Sequence, residues 1–145
     1  MNIVTDVSLM RELDGMVDNS RRDMPPGDLV KMQSEISAIK YTLSTYMTMA
    51  DAKQMKAEDT YDTFITKKSL SLQAVDKKSA ARAKVEAEAD GQAEIYRLAY
   101  IDARIEYMAI KNRVDNAKDV LVSLSMRIKN AEQEAIESRM QQHHA

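Results

Sequence analysis

The side chains best placed to act together on a ligand are basic. From Lys67 to Lys84 the chain carries Lys67, Lys68, Lys77, Lys78, Arg82 and Lys84, opposed only by Asp76. Upstream, Lys53 and Lys56 add cations to the charged part of the preceding segment. Ammonium and guanidinium groups without a nucleophile beside them suit contacts to the phosphates of a nucleic-acid backbone. Arg82 follows Lys78 by four residues and Lys84 follows Lys77 by seven, so a strip along one helix side is feasible. The plainer reading is a solvated charged face, bounded by the acidic run from Glu86 to Asp90. At −2, the net charge does not announce a polyanion binder. Avidity would have to come from several such patches in a ring of subunits.

Other chemistry is sparse. The absence of Cys excludes disulfides and thiolate zinc sites. The only His residues, His143 and His144, sit at the end of the chain, so no Ser-His-Asp triad falls on its rigid part. There is no H-E-x-x-H, no phosphate loop and no G-x-G-x-x-G. Glu86, Asp90 and Glu94 stand four apart, as carboxylate metal ligands on one helix face would. Without a Glu-x-x-His partner they do not make a di-iron pattern, and a solvated acidic face is expected. The expectation is therefore no catalysis, no metal and no cofactor. Tyr96, Tyr100 and Tyr107 are read as packing residues with hydroxyls at the rim, or as a stacking platform for nucleobases. Arg21 and Arg22 are a solvated pair or a minor anion contact.

The elements that carry these residues are helical. The chain has 145 residues, 44% hydrophobic and 30% charged, with Phe64 and six Tyr as its aromatics. Eleven Met and many Ala give a thin, adaptable core, which suits helices packed side by side. Thr5 to Asp18 reads as a short amphipathic helix capped by Thr5 or Asp6, with Val7, Met10, Leu13 and Val17 as its stripe. Asn19 to Gly27 is a connector containing Pro25 and Pro26, so residues 1–27 form one expected segment. Asp28 is the expected cap of a second helix. Its heptad seam runs Leu29, Ile36, Leu43, Ala50, Ala57 and Phe64, with Met32, Ile39 and Tyr46 between, until Lys53 breaks the row.

Thr66 to Ser79 is the weakest helical stretch, with Asp76 as an apparent cap. A turn or kink is expected there, folding the last helix back on the second; an unbroken helix is the alternative. From Asp76 to Met140 the chain is rich in good helix formers, and past Ser79 its only Gly is Gly91. Uninterrupted, that helix would be roughly 90 Å long. Val114, Leu121, Ile128 and Ala135 recur every seven residues, with Ala117, Leu124 and Ala131 between them. Ahead of them Leu98, Ile101, Ile105 and Met108 form one apolar line, and Tyr96, Tyr100, Ala103, Tyr107 and Ile110 a neighbouring one. So wide a face implies more than one partner helix. The expected oligomer interface is Leu98, Ile101, Ile105, Met108, Val114, Leu121, Leu124 and Ile128. The fold class is thus all-α, a short helix followed by a long helical hairpin over 28–140 with coiled-coil-like seams, oligomeric, with a frayed tail at 141–145. No apolar run spans a membrane and no signal peptide is evident, so a cytoplasmic protein is expected.

The stretches LVKMQSEISAIKYTLSTYM, MKAEDTYDTF and VLVSLSMRIKN, within Leu29 to Asn130, resemble the UvsY family of phage recombination mediators. The resemblance implies a small, helical, ring-forming protein without enzymatic activity. It further implies binding to single-stranded DNA, and contacts with a recombinase and a single-strand-binding protein inside the host cell. Lys56 matches the family's Lys-Ala step, whereas Glu58 stands where a basic residue is expected. That moves the expected DNA contacts towards Lys67, Lys68, Lys77, Lys78, Arg82 and Lys84. Arg127 and Lys129 match the family's basic C-terminal stretch, and also fit the flank of a coiled coil. The rival reading is a structural or adaptor coiled coil (a virion, scaffold or inhibitor component) that acts through protein contacts alone.

Overall fold

Local chemistry sets the ends of four helices among the described residues, 3–144 of a computed structural model. These are α1 (Ile3–Ser20), α2 (Pro26–Asp76), α3 (Ala80–Glu88) and α4 (Gly91–His144). The all-α class agrees with the sequence reading, as does a short helix leading into two long antiparallel ones. The boundaries differ in instructive ways. Because α1 already begins at Ile3, Thr5 and Asp6 lie inside it rather than capping it. Likewise α2 starts at Pro26, ahead of Asp28. Proline suits a first helical position, since its φ is preset and its missing N–H would have no intrahelical partner. The Pro25 carbonyl accepts from the N–H groups of Asp28 and Leu29, at 3.0 and 3.2 Å. Asp28 then sits in the first turn, where a carboxylate complements the helix dipole.

The reversal expected within Thr66–Ser79 narrows to Lys77–Ser79. Asp76 ends α2 instead of capping the next helix. Lys77 turns left-handed, with φ 52°, and the Lys78 N–H reaches back to the Leu72 carbonyl. This is the usual way a helix is stopped, here without the usual glycine. The cap of α3 is Ser79, whose hydroxyl accepts from the Arg82 N–H at 3.3 Å.

The last helix is not continuous past Ser79. It breaks at Ala89–Asp90, because the Asp90 side chain accepts from the Gln92 N–H at 2.8 Å and so caps α4. At its far end α4 continues to His144, where a frayed tail was expected from 141. Good helix formers and an i,i+4 hydrogen bond from Gln133 to Glu137 support that last stretch.

Two compact units result, divided across the long helices rather than at the connector near residue 27. The first holds α1, α2 up to Tyr46 and α4 from Ile110. Its buried residues are Leu13 and Val17 on α1, Leu29, Ile36, Ile39 and Leu43 on α2, and Ile110, Val114, Ala117 and Leu124 on α4. Gln33 donates to Ser125 at 2.8 Å, and Arg113 pairs with Asp14 at 3.4 Å. The Arg127 guanidinium donates to the carbonyls of Ser20 and Arg22 and so closes the end of α1.

The second unit, Met47–Ala109, holds the rest of α2, all of α3 and the start of α4. Its core is Ile65, Ala87 and Ala93, flanked by Tyr61 and Phe64. Ala87 and Ala93 are fully enclosed, and side chains this small bring the helices close at their turn. Among the described residues, no helix is long and apolar enough to cross a membrane.

Two substitutions test this account in urea titrations. Leu124→Ala should cost about 2–5 kcal/mol, because Leu124 is fully enclosed. Lys77→Gly should stabilise by about 1 kcal/mol by relieving the left-handed residue.

Candidate nucleic-acid interface

The eight expected cations all fall in the second unit, but they do not form one cluster. Lys67 and Lys68 lie near the end of α2, Lys77 and Lys78 in the connector, and Arg82 and Lys84 on α3. Since α2 runs on without a break to Asp76, Lys53 and Lys56 stand about 16 Å or more back along it from Lys67 and the basic end. The strip expected from Lys77 and Lys78 to Arg82 and Lys84 is corrected, because the first two lie outside any helix.

Half of these cations are neutralised within the unit. Lys53 pairs with Glu106 at 3.0 Å, and Lys68 faces Asp90 at 3.9 Å. Lys78 and Arg82 converge on Glu86, the latter at 3.5 Å. The hydrogen bond from Lys78 does most to hold the Glu86 carboxyl below its usual range; burial opposes this, and the charges of Lys78 and Arg82 assist it. Among the described residues, Lys56, Lys67, Lys77 and Lys84 are exposed and have no carboxylate within ion-pair distance.

The carboxylates also separate. Glu86 belongs to α3, Asp90 caps α4, and Glu94 is held by Arg97 at 2.7 Å. The shared helix face expected of them is broken at Ala89–Asp90. Among the described residues, no group of three His, Asp or Glu is placed to hold a metal ion.

The apolar lines of α4 sort themselves by burial. Ala103 and Ile110 face inward with Val114, Ala117 and Leu124. The neighbouring line faces out, with Leu98 48% and Ile105 63% exposed. Met108 is also exposed and Ile101 half-buried. Of the expected oligomer contacts, Val114 and Leu124 are thus enclosed in the chain's own core and are unavailable to another copy. Leu121 and Ile128 are half-buried. Sequence reasoning missed the pairing of Phe64 with Tyr96, whose ring centroids are 5.5 Å apart at 57°. Each stood in an apolar row of its own helix, and nothing in either row marks which residue lies opposite. Tyr100 accepts a hydrogen bond from Arg104 at 3.2 Å.

Comparisons with protein-family models, curated proteins and solved structures find no match for this chain.

Glu86→Gln should lower the thermal midpoint at neutral pH. A carboxyl whose pKa is depressed on folding stabilises above its ordinary value, about 4.3 for Glu, and loses that contribution as pH falls through the folded value. Wild type and variant should therefore converge in melts as pH falls below the ordinary Glu range and through the lowered folded value. A gap of constant size across that range would show that the ion pairs are not its source.

Proposed function

We propose that this chain is a non-catalytic, homo-oligomeric protein that binds single-stranded DNA through backbone phosphates. It acts as a recombination mediator of the kind its resemblance to the UvsY family implies, helping to load a recombinase against a competing single-strand-binding protein. The same reading makes it cytoplasmic, in the host cell if phage-encoded. The observation that carries it is that, among the described residues of the second unit, the exposed lysines Lys56, Lys67, Lys77 and Lys84 have no carboxylate within ion-pair distance. They share one unit with the outward line of Leu98, Ile105 and Met108, which supports assembly through α4. Mechanistically, each patch is weak, and a multimer supplies the avidity.

The neutralisation of Lys53, Lys68, Lys78 and Arg82 favours the rival, a coiled coil that meets only other proteins. Anisotropy titrations of a labelled single-stranded oligonucleotide across a salt series separate the two. The mediator should bind with a steep salt dependence, and Lys67→Gln/Lys77→Gly/Lys84→Gln should flatten the slope by about 2, at roughly 0.7 per lost phosphate contact. Absence of binding at low salt leaves only the protein-assembly reading. Sedimentation velocity tests the other half: Leu98→Lys/Ile105→Lys should reduce the assembly to smaller species without loss of helicity.

A further inference from the structure

Between α2 and α4, within the second unit, lies an open groove of ≈ 340 Å³. It is lined by Asp59, Thr60, Thr63, Phe64, Lys67 and Tyr96. The α2 residues recur at the spacing of one helix face, so they line a single wall. Phe64 and Tyr96 are both half-buried, and Phe64 packs against the core of Ile65, Ala87 and Ala93. Phe64 is therefore held from behind, and both rings reach the groove. The rings are tilted by 57° rather than stacked in parallel, so they do not cover each other face to face. Lys67 lies one turn beyond Phe64, exposed and without a carboxylate partner among the described residues. Thr60 and Thr63 add hydroxyl groups to the same wall.

A ring backed by core with a free ammonium one turn away is what a single nucleotide requires. Its base stacks on the ring, and its phosphate meets the cation. We propose that this groove is a nucleotide subsite for single-stranded nucleic acid, with the base against Phe64 and Tyr96 and the adjoining phosphate at Lys67. The volume lies near the lower end of the range for ligand pockets, which fits one nucleotide rather than a run of them. Asp59 stands eight residues from Lys67, about 12 Å along α2, and repels a second phosphate at that end. A duplex is excluded by the same geometry, because its bases are already stacked and paired. The subsite rests on the single-strand-binding reading and adds base contact to a site otherwise made only of charges.

The test compares oligo(dT) with an abasic oligonucleotide of the same length, in anisotropy titrations at one salt concentration. The backbone charge is equal, so only the bases differ. Wild type should bind oligo(dT) at least about 5-fold more tightly, the lower end of what stacking of one base contributes. Phe64→Leu and Tyr96→Leu, each checked for helicity by circular dichroism, should bind oligo(dT) about 5- to 150-fold more weakly and the abasic strand as before. Lys67→Gln should weaken both strands alike and flatten the salt slope. Equal wild-type affinity for the two strands overturns the subsite and leaves the phosphate-binding reading intact. Retention of the preference in both folded Leu variants also overturns it. Failure to bind either strand at low salt overturns the subsite together with the reading on which it rests.

Discussion

A seven-residue repeat does not match a turn of 3.6 residues, and this mismatch governs how the two long helices can be covered. A straight helix drifts by about 20° per heptad relative to a strict repeat. With 51 residues in α2 and 54 in α4, the drift moves one stripe well round the cylinder. The seam of α2 holds through Leu29, Ile36, Leu43 and Ala50, then weakens at Lys53 and Ala57, and burial resumes at Ile65 on another register. The first unit is packed with branched side chains, the second with enclosed alanines and a flanking aromatic pair. Large apolar residues such as Leu98 and Ile105 are left outside as a consequence.

The charges follow a related economy of neighbours. Three carboxylates, Glu86, Asp90 and Glu106, hold four of the eight cations that the sequence marked for phosphate contact. These are exposed or partly exposed pairs, so they contribute little to stability. Their larger effect is to set which cations stay available. Lys67, Lys77 and Lys84 lie on three successive elements, so a backbone that follows them must pass over the turn between α2 and α4.

Helicity, the N-terminal helix, the two long helices and the reversal before Ser79 were legible in the sequence, because each rests on local propensity or a strong stop signal. The interruption at Ala89–Asp90 was not, since Ala, Glu and Asp in that run all tolerate a helix, and only the turn of Asp90 onto the Gln92 N–H makes it a cap. Composition identified both apolar lines of α4 and could not say which one faces inward, because that depends on where α2 lies. The basic cluster was visible as a run of residue types. Its division into paired and unpaired members was not, because Glu106 and Asp90 are far in sequence from Lys53 and Lys68. Arg127 looked like a coiled-coil flank and instead satisfies the carbonyls that end α1.

From Glu132 to His143, α4 has every residue exposed. No neighbouring side chain in the described structure shields those turns, so they are held by backbone bonds and local pairs alone. Opening there needs only local fraying, whereas opening around Leu124 needs disruption of the core. Amide hydrogens of the last three turns therefore exchange with solvent far faster than those near Leu124, and a protease meets Arg139 before any site in the packed part of the helix. One uninterrupted helix thus contains two regimes of local stability, and the boundary between them falls where the packing ends.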